Sequence, residues 1–175
     1  ILNENGYEMT DDIDDADVAI VNTCGFIESA KEESIDTILN IASHKQKNLK
    51  HLIVTGCLVQ RYYKDLKEQI PEIDAFLGTT SYNTILNVLQ GLSIGKDNSL
   101  ILPANTTLDH NKKKILTDSY YAYIKIAEGC DNSCTYCIIP KLRGRYVSRP
   151  MDEIVDEAKR LASQNVKEIV LIAQD

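Results

Sequence analysis

The sequence predicts an α/β protein built on parallel sheets, and three observations carry that prediction. Apolar runs of strand length alternate with amphipathic helical stretches at roughly thirty-residue spacing, as right-handed strand-helix-strand crossovers require. The runs are continuously apolar rather than alternating, the pattern of strands covered on both faces. Hydrophobic residues make up 43% of 175 residues with only eight Gly and four Pro, which suits a packed core and argues against disorder.

Each element follows in order. "ILNENGYE" reads as the last turn of a helix stopped by Gly6. "DADVAIVNTCG" is a buried run from Val18 to Val21, entered through acidic turn residues and closed by Cys24 and Gly25. "SAKEESIDTILNIASHKQ" places Ile35, Ile38, Leu39 and Ala42 on one helical face, with Ser29 to Glu32 spaced as a capping box. "HLIVTGC" repeats the strand, ending at Gly56 and Cys57, and "LVQRYYKDLKEQI" repeats the helix before Pro71. "IDAFLGT" and "SYNTILNVLQGL" form a third pair, so residues 1–92 make one parallel-sheet domain.

From Ser93 to Ser119 the pattern dissolves into polar and basic residues, including Asn105 to Asp109 and Lys112 to Lys114, and reads as a linker or an edge hairpin. A second α/β domain starts in residues 120–175: the strand "YYAYIKIAEGC", a basic loop, a helix opened by Pro150 and the strand "VKEIVLIAQD". That helix puts Ile154, Val155, Ala158, Leu161 and Ala162 on one face. The chain starts at Ile1 without a methionine and closes directly after an apolar run, so sequence is expected on both sides of it.

Neither a membrane-length apolar run nor a secretory signal is present, and the expected compartment is the cytoplasm. Five cysteines suit metal or redox chemistry there better than a disulfide framework. The formal charge of -7 argues mildly against a general nucleic-acid coat and leaves room for a local basic patch. The acidic run Asp11, Asp12, Asp14, Asp15 and Asp17 reads as a solvated turn, and His44, His51 and His110 read as solvated too.

The cysteines are placed for chemistry. Ligands in α/β folds gather at the carboxyl ends of strands, and Cys24, Cys57 and Cys130 all follow predicted strands. In "EGCDNSCTYCIIP", Cys130, Cys134 and Cys137 form a C-x3-C-x2-C pattern. Structural zinc sites fill all four positions, commonly from paired knuckles, whereas this loop offers three thiols and no nearby histidine. An iron-sulfur cluster can accept three thiolates and leave one iron open.

These residues resemble the radical S-adenosylmethionine enzymes, whose signature has an aromatic just before the third cysteine, here Tyr136. The resemblance implies that Cys130, Cys134 and Cys137 hold a 4Fe-4S cluster, that S-adenosylmethionine chelates the fourth iron, and that Tyr136 lies near the adenine. With "NTCGFIESAKEES" and "TGC" upstream and "PKLRGRYVSRP" downstream, the chain is similar to the methylthiotransferases. That likeness implies a Rossmann-like first domain with a second 4Fe-4S cluster on Cys24, Cys57 and a cysteine ahead of Ile1, then the first βαβ unit of a partial (β/α) barrel.

The two clusters would face one another, with the linker setting their approach. The "GFIESAKE" stretch looks like the branch that modifies an aspartate β-carbon in small-subunit ribosomal protein twelve. Reduction of S-adenosylmethionine to a 5'-deoxyadenosyl radical, by electrons from a donor such as flavodoxin or ferredoxin, would supply the hydrogen abstraction. A tRNA adenosine substrate, or a noncatalytic iron-sulfur or zinc module, remains the alternative. Lys141, Arg143, Arg145 and Arg149 could serve the cofactor carboxylate, RNA or an internal acid.

Overall fold

The computed structural model describes residues 1–104 and 120–175. Two compact units divide the chain at Ile1–Thr106 and Thr107–Asp175. His110, Lys112 to Lys114 and the end of the expected linker lie outside the described residues.

In the first unit, strands β1 (Val18–Thr23), β2 (His51–Gly56) and β3 (Ala75–Leu77) form one parallel sheet in that order. Helices α1 (Glu28–Ser43) and α2 (Cys57–Gln69) make the crossovers, and α3 (Ile85–Ser93) follows β3. On one face Ile38 and Ala42 of α1 and Leu58, Val59 and Leu66 of α2 pack against Ala19, Val21, Leu52, Val54 and Phe76. On the other, Ile85, Val88 and Leu89 of α3 cover Ile53, Ala75 and Leu77.

Strand β2 is therefore buried on both sides, which is why "LIV" carries no alternation. Each such side chain contributes about 1.5–3 kcal/mol of transfer free energy. The edge strand β1 has one open face, where Ile20 is 40% exposed.

Three local expectations are corrected. The capping box does not form: α1 begins at Glu28, its N-cap is Ile27 with no side-chain hydrogen bond, and Ser29 falls inside the first turn. Leu39 is 50% exposed, since nothing covers that edge of the helical face. The N-terminal turn is a 3-10 helix at Asn3–Asn5, stopped by Gly6 at φ 83 as its composition suggested. After α3 the chain returns to the sheet: Leu100 donates its N–H to Phe76 O (2.9 Å), accepts from Gly78 N–H (2.9 Å) and bridges Leu77 in parallel.

The second unit contains β4 (Tyr121–Lys125), β5 (Ala127–Glu128), α4 (Ile139–Arg143), β6 (Val147–Ser148), α5 (Met151–Ser163) and β7 (Glu168–Ile172). Strands β4 and β7 pair in parallel from Tyr121↔Glu168 to Lys125↔Ile172, with α5 as the crossover. Ala122, Ile124, Leu161 and Val166 form the core, joined by Ile154 and Ala158. Val155, 41% exposed, and Ala162, also exposed, lie off the face expected of them.

Arg149 enters this core. Its guanidinium donates to Glu157 Oε2 (2.6 Å) and to Lys125 O (2.8 Å), with side chains only 3% and 7% exposed for Arg149 and Glu157. Among the described residues no helix is long and apolar enough to cross a membrane.

Candidate metal centres

At the carboxyl edge of the first sheet the parallel register ends on Thr23↔Gly56, so Cys24 and Cys57 are the next residues on two adjacent chains. Cys57 is 1% exposed and opens α2, while Cys24 is half-buried in the loop after β1. The approach is tight. A Cβ built on Gly25 would stand 3.0 Å from the Cys57 carbonyl carbon and 2.9 Å from Leu58 N.

Gly56 has φ +104, and a Cβ there would meet Thr23 O at 2.3 Å. Gly56→Ala is expected to cost on the order of 3 kcal/mol from backbone strain alone, measured as a lower urea midpoint. A loss under half that size would show that the edge can relax.

Hydroxyls knit the same edge: Thr23 Oγ1 donates to Thr55 O (2.6 Å), and Thr55 Oγ1 donates to Leu77 O (3.0 Å). Two residues that sequence reading missed hold the loop after β1. Buried Ser34 on α1 accepts the Cys24 N–H (3.1 Å), and Arg61 on α2 donates to Gly25 O (3.2 Å). No local signal marks either residue, because each acts ten or more positions away in sequence.

In the second unit β5 and β6 pair antiparallel, Ala127↔Ser148 and Glu128↔Val147, and close the neck of the loop that carries the triad. Cys130 N–H donates to Gly144 O (3.2 Å). Gly129, at φ +75, lets the strands meet, since a Cβ there would sit 2.2 Å from Arg145 O. The end of β7 reaches the same loop: Gln174 Oε1 accepts the Gly129 N–H (2.9 Å) and Asp175 accepts from Asn132 (3.0 Å).

Asp131 Oδ1 accepts the Tyr146 N–H (3.0 Å) and faces Arg145 at 3.4 Å. The Tyr146 N–H first, and Arg145 second, hold the Asp131 carboxyl below its ordinary value. A depressed carboxylate stabilises the neck above its ordinary value, and that contribution is lost as pH falls through the lowered one. The Tyr146 amide resonance should therefore show its inflection below the ordinary aspartate range. An inflection at or above that range would contradict the contact.

The basic loop turns inward. Arg143 faces Glu128 (3.4 Å), which also pairs with Lys125; Arg145 faces Asp131, and Arg149 is buried with Glu157. Of the three partners considered for these arginines, the internal acid is the one the structure shows. Lys141 is exposed.

Within the triad, Cys130 is buried, Cys134 exposed and Cys137 half-buried, while Tyr136 is 90% exposed. Among the described residues no three His, Cys, Asp or Glu side chains converge as ligands of one metal ion. A 4Fe-4S cluster takes one thiolate per iron, so its ligands stand around a cube rather than around a single ion. The donor chemistry of the triad therefore fits such a cluster.

The histidine reading is corrected. The His44 side chain is 19% exposed and sits 3.1 Å from Asp14 Oδ1, and buried His51 Nδ1 has no hydrogen-bond partner among the described residues.

Comparison with known proteins covers both units. Residues 1–78 match the family described as Uncharacterized protein family UPF0004, and residues 124–175 match the Radical SAM superfamily. The chain is 57% identical, along 100% of its length, to a ribosomal protein uS12 methylthiotransferase RimO of Clostridioides difficile (strain 630), covering 40% of that protein. It is 53% identical over 98% of its length to the protein of the same name in Clostridium botulinum (strain Eklund 17B / Type B), covering 39% of it. A third, in Thermoanaerobacter sp. (strain X514), is 49% identical over 100% of the chain and is covered to 40%. The chain thus spans about 40% of the length of the curated relatives it matches. It carries the two family segments in this order and is similar along its whole length to proteins named ribosomal protein uS12 methylthiotransferase RimO.

Proposed function

We propose that the protein methylthiolates the β-carbon of an aspartate in ribosomal protein uS12, using S-adenosylmethionine and two 4Fe-4S clusters. The observation that carries the two-centre reading is the parallel register that delivers Cys24 and Cys57 to one sheet edge of the first unit, whereas the triad loop belongs to the second. The uS12 substrate is supported by the names of the relatives.

In this reading Cys130, Cys134 and Cys137 hold one cluster, and Cys24 and Cys57 are two ligands of the other. Bound cluster and S-adenosylmethionine supply hydrogen abstraction from an unactivated carbon, which side-chain acids and bases cannot. The chain's own residues do the placing. Gly129, Gln174 and the β5–β6 pair fix where the triad loop leaves the sheet. Exposed Tyr136 is free to lie against the adenine by stacking.

Glu128, Asp131 and Glu157 engage the arginines, so the basic loop is braced by internal acids. The first unit fits a Rossmann-like domain and the second the opening βαβ unit of a partial barrel. Five thiols with no disulfide suit a reducing cytoplasm, where flavodoxin or ferredoxin serves as electron donor.

The test presents the anaerobically loaded full chain separately with uS12 and with tRNA and follows both by mass spectrometry. The expected result is a methylthio group on a uS12 aspartate. Modification of tRNA alone would overturn the substrate, and stoichiometric zinc without S-adenosylmethionine cleavage would overturn the chemistry.

A further inference from the structure

The β1–β2 ladder stops at Thr23↔Gly56, one residue short of both cysteines. Cys57 needs no further support, because it is the first residue of α2 and is 1% exposed. Cys24 lies in an irregular loop, and its direction depends on side chains from two helices. Ser34 Oγ accepts the Cys24 N–H at 3.1 Å and lies 3.2 Å from Cys24 O, while its own hydroxyl also serves Ala30 O at 2.7 Å.

Arg61 Nη1 donates to Gly25 O at 3.2 Å, with its guanidinium 4.9 Å from the Tyr62 ring centroid. Lys31 of α1 lies 5.4 Å from that centroid, so the same ring carries a cation from each helix. Gly25 leaves no space for slack, because its missing Cβ would be 3.0 Å from the Cys57 carbonyl. The loop is thus held at Cys24 from α1 and at the following residue, Gly25, from α2.

We propose that Ser34 and Arg61 are positioning residues that aim the Cys24 thiolate at its iron. This rests on the reading of Cys24 and Cys57 as cluster ligands. A group that orients a ligand is expected to alter affinity about 10–100-fold when removed, without contacting the metal itself. Ser34→Ala keeps a good helix former within α1, and Arg61→Gln shortens a side chain that is exposed, so both variants should fold.

The experiment uses the full chain with Cys130, Cys134 and Cys137 replaced by alanine, reconstituted anaerobically so that iron loads only the first-unit centre. Iron release to bipyridyl and the electron paramagnetic resonance spectrum of the reduced centre are then compared. Ser34→Ala and Arg61→Gln should each release iron about tenfold faster and change the spectral line shape. Ser34→Thr, which keeps the hydroxyl, should restore both readouts, and the far-ultraviolet circular dichroism of all variants should match the parent.

Parent-like release and line shape in both Ser34→Ala and Arg61→Gln would overturn the proposal. Failure of the underlying reading is separate: Cys24→Ala and Cys57→Ala would then keep their full iron content.

Discussion

On the proposed function, Cys134→Ala in the full chain is expected to abolish S-adenosylmethionine cleavage, while Cys57→Ala leaves cleavage in place and removes only sulfur transfer to uS12. The two substitutions separate the centres. Cys134 is exposed, so its replacement disturbs no packing and reports on ligation alone. Without the cofactor chemistry the reaction returns to its uncatalysed rate, a loss of at least ~10⁶-fold.

Cys57 is buried, and its loss leaves a small cavity of one sulfur atom, a modest stability cost beside the loss of a ligand. The measurement is 5'-deoxyadenosine release together with methylthiolated peptide. Cleavage by Cys134→Ala at the parent rate would remove the triad from the mechanism, and full transfer by Cys57→Ala would remove the second centre.

Arg149→Ala should have the largest effect on stability. Its guanidinium is buried against Glu157 and Lys125 O, so deletion leaves a carboxylate in the core without its nearest cation. Breaking a buried pair in this way costs about 3–5 kcal/mol, read from urea unfolding. The pair itself is weaker evidence for stability than that figure suggests, because removing both charges also removes both desolvation penalties. Arg149→Met combined with Glu157→Leu is accordingly expected to recover most of the loss. A single variant within about 1 kcal/mol of the parent would mean that water reaches Glu157 and screens it.

The parallel sheets were legible because continuous apolar runs and helical spacing are both consequences of burial, which Leu52, Ile53 and Val54 display directly. The cysteine positions were legible because strand ends are where α/β loops converge. Spacing says which residues share a face but not how far its cover extends, and Leu39 and Val155 lie where the cover stops.

The Ser29–Glu32 pattern failed because α1 starts two residues earlier, with Ile27 rather than Ser29 at the N-cap. Arg149 looked like a member of a basic surface loop, since nothing local shows that Glu157 waits for it one helix face away. The roles of Ser34, Arg61 and Gln174 were invisible for a related reason. Their partners are backbone groups 10, 36 and 45 residues distant, and backbone groups have no sequence signature.

The small β5–β6 clasp has a further consequence, in time rather than in space. Its register, Ala127↔Ser148, joins positions close in sequence, whereas Tyr121↔Glu168 waits for the whole of α5 to cross over. Contacts of shorter sequence separation form sooner, because less loop entropy is lost before they are made. The cysteine-bearing loop is therefore expected to be gathered at its neck before β7 docks, with the Gln174 contact to Gly129 arriving last. Pulsed hydrogen exchange should protect the Arg149 amide, which donates to Ile126 O, ahead of the Gly129 amide.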